Sequence, residues 1–141
     1  MTVEGGQSLY SRDILRLATA LPHGDRLANP DGSATRRSHI CGSEVTVDVA
    51  VEGGRVTEIA IRANACALGQ ASAALLRDAA IGMTASEVQE RMLSVQKGLA
   101  GEGEIAAGWS ALAYARDYPA RHGAILLPFE TLLAAIGEAR N

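Results

Sequence analysis

An alternating stretch at residues 45–63, VTVDVAVEGGRVTEIAIRA, decides the predicted fold. Its first half, residues 45–52, places valine at every second position with polar or small residues between, which is typical of a strand with one buried face. The glycine pair at 53–54 predicts a two-residue hairpin turn, because glycine readily adopts positive φ angles. Residues 55–63 then predict a partner strand. We therefore expect an antiparallel hairpin.

The register of this hairpin predicts that the two cysteines of the chain lie together. Pairing Glu52 with Arg55 across the turn and extending the register outward pairs Cys41 with Cys66. The apolar alternation slips near Thr57, which predicts a β-bulge that moves the register by one residue and leaves the thiols neighbours. Opposite residues on antiparallel strands have Cβ atoms about 5 Å apart. Such thiols can share a metal ion or form a disulfide.

Helices are predicted on both sides of the hairpin. Residues 8–21 form an amphipathic pattern that ends at Pro22, and residues 22–38 predict a loop that ends in a short strand. Further helical patterns follow the hairpin at 67–80, 84–99, 105–112 and 128–139. Together these elements predict an α+β fold in which a small antiparallel sheet of about three strands packs against four to five helices.

Length and composition limit the classes of protein to which this chain can belong. At 141 residues we expect one domain spanning 1–141, and the net charge of -3 argues against nucleic-acid binding. The longest uncharged stretch, Ala63–Leu76, is shorter than the roughly 20 apolar residues that span a membrane. No basic region followed by an apolar run opens the chain, so we expect a cytoplasmic protein without a membrane partner.

Candidate metal ligands are Cys41, Cys66 and His39. Cys66 directly precedes a predicted helix, whose dipole favours the thiolate form. His39 lies two residues before Cys41, and such residues point to the same side of an extended segment. The alternatives are buried, inert cysteines and a solvated loop histidine. The carboxylates are scattered as on solvated faces, and no catalytic motif is present, so we do not expect an enzyme.

Four features of the sequence form one pattern: Cys41-Gly42, the valine-rich strand, the glycine turn, and ACALGQASA at residues 65–73. Upstream, Leu9-Tyr10 fits the opening of the first helix in SufU-type proteins. Over most of the chain the pattern resembles the NifU/IscU family of iron–sulfur cluster assembly scaffolds. This resemblance implies a compact α+β domain with a small antiparallel sheet covered by helices.

The resemblance also implies a metal site and a partner. Members of the family bind zinc or assemble an iron–sulfur cluster through three cysteines and an aspartate, and they receive sulfur from a cysteine desulfurase. Cys41 and Cys66 match two of these cysteines, and Ser43 stands at the aspartate position. The third cysteine position corresponds to Ala124 in a gapless reading, or to Gly123 after a one-residue shift. Neither restores a thiol.

We therefore expect a scaffold-like protein that binds iron, an iron–sulfur cluster or zinc through Cys41 and Cys66, with two of four ligands replaced. His39 or His122 could complete a Cys2His2 set. Alternatively, two chains could each contribute both cysteines, which predicts a homo-oligomer. Two other functions stay open: a metal-free module that docks on a cysteine desulfurase or another assembly protein, and a redox dithiol protein.

Overall fold

The computed structural model describes residues 12–22, 25–39, 42–105 and 108–139, which form a three-stranded antiparallel sheet packed against helices. The strands lie in the order β1 (Gly32–Arg37), β2 (Glu44–Glu52) and β3 (Arg55–Asn64). The α-helices are α1 (Arg12–Ala18), α2 (Ala67–Ala79), α3 (Ala85–Leu99) and α4 (His122–Ala139), and 3-10 helices occupy Ser110–Asp117 and Pro119–Arg121. The predicted α+β class is confirmed.

The hairpin between β2 and β3 has the predicted turn. Glu52 pairs with Arg55, and the glycines between them have φ angles of 61° at Gly53 and 79° at Gly54. Two consecutive positive φ angles match the right-handed twist of the strands that they connect. The glycine pair therefore fixes the register of the hairpin from its closed end.

The predicted bulge lies in β3 at Thr57. Ala50 pairs with Glu58 and Val51 pairs with Val56, which leaves Thr57 without a partner in the ladder. The Thr57 hydroxyl donates a hydrogen bond of 3.1 Å to the carbonyl oxygen of Ala50. The side chain thus compensates for the local break in backbone pairing.

The core lies between the inner face of the sheet and helices α2 and α4. Val45, Val47, Val49 and Val51 of β2 are all buried. Helix α4 crosses β1 closely at Gly32, where a Cβ atom would lie 2.1 Å from the carbonyl oxygen of Ala135. Any side chain at position 32 would therefore separate the helix from the sheet.

Helix α4 is longer than the sequence predicts. It begins at His122, and Pro128, where the predicted helix starts, lies inside it. Proline has no N–H group, so the carbonyl of Ala124 lacks its usual partner one turn along the helix. The hydroxyl of Ser72 in α2 donates to the next carbonyl, that of Ile125, at 2.6 Å. This hydrogen bond joins α2 to α4 in the turn that precedes the proline.

The boundaries of two other predicted helices differ from the structure. Helix α1 ends at Ala18 and not at Leu21, because the Thr19 hydroxyl donates to the carbonyl oxygen of Arg16 and competes with the helical backbone. Its predicted first residues, 8–11, lie outside the described residues. The helix predicted at 105–112 is wrong in position and type, since a 3-10 helix occupies Ser110–Asp117.

The predicted start of α3 is confirmed. The Thr84 hydroxyl accepts a hydrogen bond from the backbone N–H of Glu87 at 3.2 Å, and the Glu87 carboxylate accepts one from the backbone N–H of Thr84 at 3.0 Å. This reciprocal capping box satisfies two N–H groups that have no partner within a helix. Throughout the described residues, no helix is long and apolar enough to cross a membrane.

A buried carboxylate on β2 corrects the expectation that the carboxylates are solvated. Asp48 lies on the outer face of the sheet, yet it is fully buried beneath the segment that leads into β1. The Arg26 guanidinium donates to Asp48 at 2.6 and 3.0 Å, the Ser33 hydroxyl at 2.6 Å and the Leu27 N–H at 3.1 Å. Burial acts to raise the pKa of Asp48, but these hydrogen bonds together outweigh it and hold the pKa below its usual value.

Candidate metal centre

Cys66 lies at the junction between β3 and α2. It is the N-cap residue of α2, with extended backbone angles of φ -66° and ψ 171°, and its carbonyl oxygen accepts the N–H of Gln70 at 2.9 Å. Its side chain makes no capping hydrogen bond, the residue is half-buried, and the thiol is free. Cys66 therefore occupies the N-cap position of α2 with its sulfur unused for capping.

Cys66 faces an open cleft of about 520 Å³ formed by three chain segments. These are the end of the loop before β2, the junction between β3 and α2, and the 3-10 turn before α4. The lining residues are Gly42, Ser43, Asn64, Ala65, Cys66, Ala120 and Arg121. Arg121 is the single charged residue among these described lining positions. The cleft therefore combines a thiol with a permanent positive charge.

Cys41 lies outside the described residues, so its predicted position opposite Cys66 stays a prediction. Its neighbours on the carboxyl side, Gly42 and Ser43, both line the cleft that contains Cys66. The N–H of Ser38 donates to the carbonyl oxygen of Ser43 at 2.8 Å, and the N–H of Gly42 donates to that of Ser38 at 3.0 Å. These bonds anchor the described ends of the loop between β1 and β2 at the rim of the cleft.

The two candidate histidines lie outside the lining of the cleft. His39 is exposed in the loop after β1. His122 is the first residue of α4, and its Nε2 lies 2.7 Å from the carbonyl oxygen of Ala115. A histidine that donates one ring N–H to a carbonyl keeps its other nitrogen for a metal. The ligand roles of His39 and His122 stay predictions.

The position of the family's third cysteine corresponds to Ala124 or to Gly123. These two residues have different surroundings. Ala124 is buried against the first turn of α2, because a Cβ atom at Gly69 would lie 3.6 Å from the Ala124 methyl group. Gly123 is exposed, and a Cβ atom there would meet nothing within 4 Å. Ala124 thus faces the helix that Cys66 caps, whereas Gly123 faces open space.

The described part of the chain contains no group of three or more His, Cys, Asp or Glu residues that could hold a metal ion. With Cys41, which lies outside that part, the sequence has two thiols. Thiolates suit zinc and iron–sulfur clusters. The donor type therefore fits such a metal, but the number of donors is half of a four-ligand set.

Arg121, Asn64 and Ala120 are lining residues that were not predicted from the sequence. Arg121 belongs to the Pro119-Ala120-Arg121 segment, which the sequence marks only as a break before the last helix. No pattern in the sequence shows that this turn closes against residues 42–43, which are far away along the chain. The long-range packing of α4 on β1 and β2 brings them together.

The three-stranded antiparallel sheet has helices packed against it, and a cysteine occupies the N-cap position of the helix after the hairpin. These features define the class of protein as a small α+β domain. A family model described as "NifU-like N terminal domain" matches residues 10–122. The chain belongs to this NifU-like family.

Individual relatives agree with this assignment. The chain is 26% identical over 132 residues to the iron–sulfur cluster assembly scaffold protein IscU of Thermotoga maritima, covering 91% of this chain and 92% of that protein. The crystal structure of a nitrogen-fixing NifU-like protein (N-terminal) from Brucella abortus matches with a TM-score of 0.87 and 34% identity, over 94% of both chains. A SUF-system scaffold protein, FiSufU of Fervidobacterium islandicum, matches with a TM-score of 0.80 and 27% identity, over 91% of this chain and 96% of that chain.

Proposed function

We propose that this protein is an iron–sulfur cluster assembly scaffold that holds iron, an iron–sulfur cluster or zinc through Cys41 and Cys66. Membership of the NifU-like family and similarity to IscU and SUF-system scaffold proteins support this function. The observation that carries it is the cleft at Cys66, whose lining includes the two residues that follow Cys41 in the chain. The expected protein partner is a cysteine desulfurase or another assembly protein.

The surroundings of Cys66 favour metal binding by its sulfur. Metals bind cysteine through its sulfur, and Cys66 holds its sulfur at the N-terminus of α2 without a capping hydrogen bond that would compete with a metal. Arg121 places one positive charge in the described lining of the cleft. With Ser43 at the aspartate position, the cleft has lost a negative charge that the resemblance implies. A cluster bound here would therefore meet a more positive environment than in relatives that carry the aspartate.

Anaerobic reconstitution with iron and sulfide, followed by metal and sulfide analysis, tests this function. We expect the wild-type protein to retain iron and acid-labile sulfide, and the variants Cys41→Ser and Cys66→Ser each to lose them almost completely. Gln89→Ala, an exposed substitution on α3, serves as a control that retains both. Undiminished iron in both cysteine variants would contradict the function.

The same measurement decides whether a histidine completes the ligand set. If His39 or His122 is a ligand, its change to alanine lowers the metal content while the fold is unaltered. His122→Ala also removes the hydrogen bond to Ala115, so circular dichroism must accompany it. Wild-type metal content in both variants would exclude the Cys2His2 set.

A metal-free docking module is the second candidate. The replacement of two family ligand positions, by Ser43 and by Ala124 or Gly123, is the observation that favours it. It predicts that the wild-type protein binds a cysteine desulfurase yet retains neither iron nor zinc after reconstitution. Binding measured by calorimetry beside the metal analysis separates it from the scaffold function.

A further inference from the structure

The junction between β3 and α2 sets the position of Cys66. Strand β3 ends at Asn64 and helix α2 begins at Ala67, so Ala65 and Cys66 alone connect them. Asn64, Ala65 and Cys66 all line the cleft. A serine, threonine or aspartate at an N-cap fixes its own side chain by bonding to the helix, whereas Cys66 makes no such bond. Other residues must therefore hold the junction in place.

Gln70 of α2 binds the chain on both sides of this junction. Its side-chain Nε2 donates a hydrogen bond of 2.6 Å to the carbonyl oxygen of Ala63 in β3. Its backbone N–H donates one of 2.9 Å to the carbonyl oxygen of Cys66. The backbone bond is the ordinary first bond of an α-helix, but the side-chain bond joins the helix to the strand and depends on the glutamine. Gln70 thus closes a ring that contains the whole junction.

The carbonyl that receives the Gln70 amide belongs to a well-anchored part of the sheet. Ala63 pairs with Val45 of β2, and Val45 is buried in the core. The hydrogen bond is partly buried, so water replaces it only in part when the donor is lost. On the helix side, a Cβ atom at Gly69 would lie 2.8 Å from the Ala65 Cβ atom, so Ala65 packs closely on α2. A hydrogen bond at Ala63 and close packing at Ala65 therefore hold the junction together.

Building on the proposed metal-binding function, we propose that Gln70 is a positioning residue for Cys66. Its amide ties the end of β3 to α2 and so keeps the sulfur of Cys66 at the cleft. Without this donor, the junction is attached to the helix by packing and backbone bonds alone, and it opens locally more often. The role gives a physical reason for a glutamine four residues after the cysteine in the segment ACALGQASA at residues 65–73.

The rate at which iodoacetamide alkylates Cys66 tests the position of its sulfur. The measurement uses the full-length, metal-free protein with Cys41→Ser, so that Cys66 is the single thiol of the chain. Gln70→Met keeps the length and neutrality of the side chain but has no N–H donor. We expect alkylation to become about fivefold faster, because the loss of one net hydrogen bond permits more frequent local opening. Gln89→Met, the same change at an exposed position on α3, should leave the rate unaltered.

A core variant separates positioning from a general loss of stability. Val95→Ala removes buried methyl groups of α3 outside the lining of the cleft, so it should lower global stability while the folded protein is alkylated at the unaltered rate. Gln70→Ala, which favours the helix and also lacks the donor, takes the place of Gln70→Met if that variant does not fold. An unaltered rate in a folded Gln70 variant would overturn the positioning role. An equal increase in Val95→Ala would overturn it as well.

Iron analysis of the variants with Cys41 restored keeps the positioning role apart from the proposed function. After anaerobic reconstitution with iron and sulfide, we expect Gln70→Met to retain less iron than Gln89→Met, because its Cys66 sulfur is less often at the cleft. Faster alkylation of Gln70→Met together with no iron in the wild-type protein would overturn the function and leave the positioning role. Iron in the wild-type protein together with an unaltered alkylation rate would overturn the role and leave the function.

Discussion

The Asp48 carboxylate and the Cys66 thiol differ in burial and in hydrogen bonding. Asp48 is fully buried and accepts hydrogen bonds from Arg26, Ser33 and Leu27. Cys66 is half-buried beside an open cleft and makes no capping hydrogen bond, although it occupies a capping position. The Asp48 carboxylate has hydrogen-bond donors within the chain, whereas the Cys66 thiol is available to a ligand.

Because of this difference, we expect the Asp48 network to contribute to stability and the Cys66 cleft to contribute to metal binding. The Asp48 network attaches the segment before β1 to the outer face of the sheet, so its loss affects folding. Cys66 packs partly against the core but also lines the open cleft, so we expect the loss of its thiol to affect binding more than folding. Changes at the two places should therefore have separable consequences, with stability altered by one and metal content by the other.

The largest expected effect on stability is that of Asp48→Ala. It leaves the Leu27 N–H and the Ser33 hydroxyl without their acceptor and the Arg26 guanidinium without its counter-charge. Because Arg26 is 46% exposed, water compensates part of the ionic loss. We expect the free energy of unfolding to fall by about 2–4 kcal/mol in urea denaturation.

The control for this change is Asp78→Ala, at a carboxylate whose side chain is 84% exposed. We expect it to alter the free energy of unfolding by less than about 0.5 kcal/mol. Folded Asp48→Ala protein should retain the metal content of wild type. Metal loss from a folded Asp48→Ala protein would show that the two regions are coupled.

A smaller effect is expected for Gly69→Ala, which alters the packing beside the cleft. The new methyl group would lie 2.8 Å from the Ala65 Cβ atom, so Ala65 must shift. It would also lie 3.3 Å from the carbonyl oxygen of Ala124, a tight contact with α4. We expect a loss of about 1–3 kcal/mol in the free energy of unfolding, with reduced metal content because Ala65 and Cys66 shift together. Gly123→Ala, where a Cβ meets nothing, is the matched control. Equal stability of the two variants would contradict this packing.

The hairpin could be predicted from sequence because its determinants are local. Valine alternation, the glycine pair and the slip at Thr57 each act over a few residues, and the structure confirms strand, turn and bulge. The Asp48 network was missed because its donor Arg26 is 22 residues away, in a segment without periodicity. Alternation places Asp48 on the outer face but does not show that a loop covers that face.

The part of the candidate site that depends on neighbouring residues could be predicted from the sequence. Cys66 was found because the strand, the cysteine and the helix after it are consecutive. Arg121 and Ala120 were missed because α4 brings them to the cleft through packing on β1 and β2. The sequence places the start of α4 too late because a proline is typical of a first helical position, whereas the helix begins at His122 and contains Pro128 in its interior.

The smallest expected effect concerns the pH dependence of stability that arises from Asp48. Because its pKa is lowered in the folded state, the unfolded chain binds a proton at higher pH than the folded chain does. The stabilisation is therefore complete above the ordinary carboxyl pKa of about 4 and is lost as pH falls through the lower folded value. We expect urea denaturation to show this decline in wild type and a shallower one in Asp48→Asn, since asparagine does not titrate. The loss at acid pH should be smaller than that caused by Asp48→Ala, because a protonated carboxyl still accepts hydrogen bonds from Leu27 and Ser33. Equal pH slopes in wild type and Asp48→Asn would show that the buried carboxylate does not control the acid stability of this fold.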